Sequence, residues 1–149
     1  MNTENTAYTL CLIGPFRLNA ADGRRIEIAS KKGQALIAML AMAGGGERTR
    51  SWLQGQLWGS RQPDQAQASL RAELSNLRKI LNNDVHILLH ADHSRIWLNM
   101  HMIAVDARNT NGNTYGEFLE GLDIPYEEAF EDWLRNERAR AHDRDHVHR

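Results

Sequence analysis

Leucines 70, 74, 77 and 81 recur at i, i+4, i+7 and i+11 within QAQASLRAELSNLRKIL, residues 65–81. At about 100° per residue this spacing puts them on one face of a helix. The opposite face carries Gln65, Ala68, Ala72, Ser75, Asn76 and Lys79, flanked by Arg71 and Arg78. Pro63 suits a first helical turn, where its missing N–H costs nothing, so the helix is expected over residues 63–82. Two shorter helices precede it. Over residues 31–43, Ala35, Leu36, Met39, Leu40 and Met42 form a buried side, with Ser30 as N-cap and Gly44-Gly45-Gly46 as terminator. Thr49 or Ser51 can cap the next, which ends near Leu57 and turns Trp52, Leu53 and Leu57 inward.

Around these helices the pattern shortens to period two. YTLCLI (8–13) is a β-leaning run ended by Gly14-Pro15. Phe16 to Leu18 resume it, and Ala21-Asp22-Gly23 is a turn before RRIEIA (24–29). These predict a small antiparallel N-terminal sheet. After Asn82-Asn83, residues 87–89 and 95–98 flank a polar turn at Asp92-His93-Ser94 and predict a β-hairpin. Residues 102–105 form a further candidate strand. NTNGNT (109–114) has linker composition. Ala129, Phe130, Trp133 and Leu134 then give residues 126–140 an apolar stripe that must dock on the body or on a partner. The sequence shows no internal repeat.

Composition adds a bound and an asymmetry. The chain has 149 residues, 42% hydrophobic and 25% charged, which suits one soluble domain with a small appendage. No apolar run approaches the roughly 20 residues of a membrane span, and MNTENTAYTL lacks the basic start of a signal peptide. A cytoplasmic protein without a membrane partner is the expectation. Cys11, the single cysteine, reads as a small core residue, not a nucleophile. The net charge of −1 averages two opposed halves. Residues 17–81 hold eleven Lys or Arg against five acids, whereas residues 106–147 hold eleven acids against five arginines. One segment therefore favours phosphate and the other repels it.

Catalytic chemistry is absent from the pattern. Lys31-Lys32-Gly33 lacks the glycine spacing of a phosphate-binding loop. His142 and His146 stand at i, i+4, but no further ligand accompanies them, so a solvated tail is expected in place of a metal site. Neither an enzyme nor a cofactor is expected.

The segments LIGPFRL, DGRRIEI, SKKGQALIAMLA, ERTRSWLQGQLWGS, QAQASLRAELSNLRKIL and YGEFLEGL…FEDWL together resemble the bacterial SARP-type transcriptional regulators. Members of that family carry an OmpR/PhoB-like winged-helix DNA-binding domain followed by a TPR-like activation domain. The resemblance implies an α+β winged helix-turn-helix fold: N-terminal antiparallel sheet, three helices, C-terminal hairpin wing, and a further C-terminal helix. It divides the chain into a DNA-binding domain, residues 1–108, and a linker with an acidic helical segment, residues 109–149. It also makes residues 63–82 the recognition helix, with Leu74, Leu77 and Leu81 in core positions and Ala72 and Asn76 facing the groove. Ser75 and Asn76 depart from the family pattern, in which basic residues are common at those places.

The expected DNA-binding set is Arg50, Ser69, Arg71, Ala72, Ser75, Asn76, Arg78, Lys79 and Arg95. Asn76 suits a bidentate contact to adenine and Ala72 a thymine methyl, while Arg71, Arg78 and Lys79 suit phosphates. Arg78 has a competing use in an internal ion pair. Arg48, Thr49, Arg50 and Ser51 open a helix whose N–H groups suit phosphate, while His93, Ser94 and Arg95 are expected at the tip of the wing, where the resemblance implies that the arginine reaches the minor groove. Double-stranded DNA is the implied partner, with RNA polymerase and a second copy of the chain as further candidates. A second reading stays open: a winged helix serving as a protein-interaction module in a larger sensor, favoured by the small Ala68/Ala72/Ser75 face and the near-neutral net charge, with the Phe130/Trp133/Leu134 stripe as partner surface or dimer contact.

Overall fold

The computed structural model describes residues 8–108 and 116–147, with side chains described as far as His142. Three strands come first among the described residues: β1 (Tyr8–Cys11), β2 (Arg17–Ala20) and β3 (Arg25–Ile26). They pair antiparallel in sequence order, as the alternating pattern predicts. Leu10, Leu12, Leu18 and Ile26 face inward. Cys11 differs from expectation in being only half-buried, because it falls on the outward beat of β1 at the strand's end.

Next come α1 (Lys31–Met42), β4 (Glu47–Thr49), α2 (Arg50–Leu57) and α3 (Pro63–Leu81). Ser30 caps α1 by accepting from the Gly33 N–H at 3.0 Å. Gly45 and Gly46 take φ of 74°, which lets the chain reverse out of α1 without the strain a side chain would bring. Thr49, not Ser51, caps α2, accepting from the Trp52 N–H at 3.1 Å. Leu53 and Leu57 are fully buried, whereas Trp52 is half-buried beneath Arg48.

The wing is a three-stranded sheet in the order β4-β6-β5, with β5 at Leu89–Ala91 and β6 at Arg95–Leu98. Two features differ from the predicted hairpin. Strand β4 has no apolar residue to announce it and forms by pairing with β6. Strand β5 starts two residues later than expected and leaves Ile87 exposed. The cause is Asn82, whose Oδ1 accepts from the Leu88 and Leu89 N–H groups at 2.9 and 3.0 Å. Its Nδ2 donates to the Leu89 carbonyl at 2.9 Å.

The candidate strand at 102–105 is real, as β7 (Ile103–Val105), and it joins the N-terminal sheet. It lies parallel to β1, giving the order β3-β2-β1-β7. Just beyond it the Asp106 carboxylate accepts from the Leu12 and Ile13 N–H groups. Arg108 Nη1 donates to the Ala41 and Ala43 carbonyls and so satisfies the C-terminal end of α1.

The segment from Gly116 leads into α4 (Glu128–Val147), which packs against α2. Phe130, Trp133 and Leu134 are buried, Trp133 lying edge-on to Phe118 with ring centroids 5.9 Å apart, so the apolar stripe is spent within the chain and is not a free partner surface. The helix starts later than residue 126, because Tyr126 takes φ of 69° after Pro125. Arg138 donates to the Phe118 and Leu119 carbonyls at 2.9 and 3.0 Å, which ties the lead-in segment to α4. The expected linker 109–114 and the side chain of His146 lie outside the described residues.

Candidate nucleic-acid interface

Helix α3 forms where its sequence predicts. Pro63 stands in the first turn with Asp64, while Arg78 and Lys79 occupy the last, so charges oppose the helix dipole at both ends. Its C-terminal carbonyls are answered in turn: Tyr8 Oη donates to Leu81 O at 2.9 Å and the Asn82 N–H to Arg78 O at 3.0 Å. Ala66, Leu70, Leu74, Leu77 and Leu81 are buried. Burying four leucines contributes about 1.5–3 kcal/mol each, far more than intrinsic helix preference supplies.

The opposite face is exposed at Arg71, Ala72, Ser75, Asn76, Arg78 and Lys79. Among the described residues, the side chains of Arg71, Ser75, Asn76, Arg78 and Lys79 have no hydrogen-bond or ion-pair partner. The internal pair considered for Arg78 is therefore not formed among the described residues. Ser69 sits at the margin, half-buried, and accepts a long 3.5 Å hydrogen bond from Arg61 Nη1.

Beside α3, the start of α2 is joined to the wing turn. The Arg50 N–H donates to Ser94 O at 2.8 Å and its Nε to Asp92 O at 2.8 Å. With the Trp52 N–H given to Thr49 and the Arg50 N–H to Ser94, the Ser51 N–H is the donor of that first turn without an acceptor among the described residues. Asp92 organises the turn itself, its Oδ1 accepting from the Ser94 N–H at 2.9 Å and the Arg95 N–H at 2.7 Å. Those N–H groups, Ser94 first, hold the Asp92 carboxyl below the usual carboxylate range. Arg95 begins β6 instead of lying at the tip, and its Nη1 pairs with Glu47 Oε2 at 2.8 Å. His93 and Ser94 occupy the exposed tip.

Three features of this surface escaped the sequence. Glu47 neutralises Arg95 from a strand that the apolar pattern does not reveal. Arg48 stacks on the Trp52 ring, 3.9 Å from its centroid, with a buried Nε that has no hydrogen-bond partner. Their i, i+4 spacing is the available signal, although it runs from a strand into a helix. Glu73 is half-buried and accepts from Ser30 Oγ at 2.8 Å, when a helix-surface acid gave no hint of a partner.

Three helices, a two-helix turn presenting α3, and a β-wing tied to α2 define a winged-helix domain with an added N-terminal sheet. No family model matches the chain. Over 82 residues, 55% of its length, the chain is 35% identical to the regulatory protein AfsR of Streptomyces coelicolor. Its fold is similar to that of Mycobacterium tuberculosis EmbR, solved in complex with a low affinity phosphopeptide, with a TM-score of 0.64 and 22% identity over 91% of this chain. The chain spans 8% of AfsR and 44% of the EmbR chain. The likeness is thus one of sequence to AfsR and one of fold to EmbR.

Proposed function

We propose that the chain binds double-stranded DNA as the reading module of a transcriptional regulator, with α3 laid in the major groove and the wing alongside. The observation that carries this reading is the outer face of α3. Three cations, an amide and a hydroxyl stand there exposed and, among the described residues, uncommitted. A solvated helix face more often pairs its charges along the helix. Lys79, Arg71 and Arg78 meet phosphates, Asn76 meets an adenine edge, and Ala72 packs on a thymine methyl. The Ser51 N–H at the start of α2 takes one further phosphate. Arg95 contributes less than its position in sequence suggests, because Glu47 already neutralises it. The similarity to AfsR, a regulatory protein, supports the same reading, and a binding protein, not an enzyme, is its consequence. RNA polymerase and a second copy of the chain are further partners consistent with it.

Selection of bound duplexes from random DNA, followed by titration at several salt concentrations, tests the proposal. The expected result is an enriched sequence whose affinity falls steeply with salt as counterions are released. Absence of binding to any duplex at low salt would sink it. The reading of the domain as a protein-interaction module loses one candidate surface, since Phe130, Trp133 and Leu134 are buried within the chain, and keeps the exposed Ala68/Ala72/Ser75 face.

A further inference from the structure

Leu70, Leu74, Leu77 and Leu81 hold α3 to the body through contacts that favour burial without direction. Among the described residues, Glu73 is the one α3 side chain hydrogen-bonded to α1 or its cap. Its Oε1 accepts from Ser30 Oγ at 2.8 Å, and the same Oγ accepts from the Gly33 N–H at 3.0 Å. Glu73 therefore closes a chain of bonds from the first turn of α1 to the middle of α3. Gly33 makes the approach possible. A Cβ at that position would stand 2.8 Å from Glu73 Oε2, 3.1 Å from Ile28 Cγ2 and 3.3 Å from Leu77 Cδ2.

We infer that Glu73 is a positioning residue for base reading: its bond to Ser30 sets the rotation of α3 about its own axis, and so decides which base edges Asn76 and Ala72 meet. The inference rests on the reading of α3 as the helix that enters the groove. A helix with side chains has a radius of about 5–6 Å, so a turn of about 20° moves its outer atoms by about 2 Å. Hydrogen bonds to a base edge do not survive such a displacement. Phosphate contacts do, because the long side chains of Arg71, Arg78 and Lys79 can follow the backbone of the duplex. Loss of the Glu73 tie thus separates discrimination from affinity.

The test uses the full chain and a duplex selected by the wild type from random DNA. Two quantities are read for each variant: the ratio of Kd values between the selected duplex and one altered at the selected bases, and the Kd for an unrelated duplex at the same salt. Glu73→Ala is expected to lower the ratio about tenfold, the scale of one good base contact. Glu73→Gln removes the same charge but keeps an amide oxygen for Ser30 to donate to, and is expected to retain the ratio. Gly33→Ala crowds the carboxylate from the other side and is expected to lower the ratio as Glu73→Ala does, which keeps the test open should Glu73→Ala fail to fold. For the Gly33 variant no charge changes, so binding to the unrelated duplex should stay at the wild-type level. Alanine variants as selective as a selective wild type overturn the positioning role alone. A wild type without any preferred sequence overturns the DNA reading and this inference together.

Discussion

Ser60 meets Glu127 twice, its hydroxyl donating to Oε2 at 2.6 Å and its backbone N–H to Oε1 at 3.2 Å. Ser60 lies in the turn between α2 and α3, and Glu127 immediately precedes α4. Lys32 adds its Nζ at 3.6 Å from Glu127 Oε2 and lies over the Trp58 ring. A buried carboxylate with three donors thereby fastens the C-terminal segment to the helix-turn-helix. Glu127→Ala removes all three contacts, but Ser60 is exposed and Lys32 half-buried, so water answers part of the loss and the expected cost is about 1–2 kcal/mol. Urea unfolding of the full chain measures this, and an unchanged midpoint would show the contact to be incidental.

Asn82, the residue after α3, ties that helix to the wing through its side chain. Asn82→Ala removes three hydrogen bonds and leaves the Leu88 and Leu89 N–H groups without their acceptor. The expected loss is about 2–3 kcal/mol, concentrated locally. Amide hydrogen exchange should show faster exchange at Leu88 and Leu89 while the middle of α1 keeps its protection. Uniformly faster exchange across both regions would contradict a local role.

On DNA, substitutions along α3 should divide into two kinds. Asn76→Ala is expected to relax preference at one base pair by about 1–3 kcal/mol. Arg78→Ala should weaken binding to all duplexes alike and reduce the salt slope by about one. Titrations on matched and mismatched duplexes separate them, and a sequence-dependent effect of Arg78→Ala would reassign that residue to a base edge.

The wing turn carries an acid-sensitive element. Because the folded Asp92 carboxyl is held below its ordinary value, the bonds to the Ser94 and Arg95 N–H groups favour the folded turn fully above that ordinary value. This contribution is lost as pH falls through the lowered folded value, below about 4. Amide shifts of Ser94 and Arg95 should follow the titration of Asp92 in that window. A carboxyl titrating at or above the ordinary value would contradict the geometry.

Helix α3 was legible because its leucine stripe, Pro63 and terminal charges all act within one segment. The outer-face residues followed from the same period, and the structure leaves them exposed as expected. The docking of Phe130 and Trp133 was legible as a need to be covered, though not what would cover them. Strand β4 was illegible for a physical reason: Glu47, Arg48 and Thr49 contain no apolar residue and become a strand only through β6. The late start of β5 depends on the side chain of Asn82, which no hydrophobic period records. Likewise Arg95 looked free because its partner, Glu47, is distant in sequence. Glu73 was passed over since a lone acid on an amphipathic helix usually faces water.

The parallel pairing of Tyr8 with Ile103 places the first and last strands of the winged-helix body side by side. During synthesis β1 can pair with β2 early, yet its other edge stays open until Val105 has left the ribosome. At translation rates of about 5–20 residues per second, that interval is on the order of ten seconds. The body therefore closes in a late step that must bring together widely separated parts of the chain. Until then an unpaired edge with Leu10 beside it is exposed to neighbouring chains, which makes the nascent protein, more than the finished one, the species most prone to misassembly.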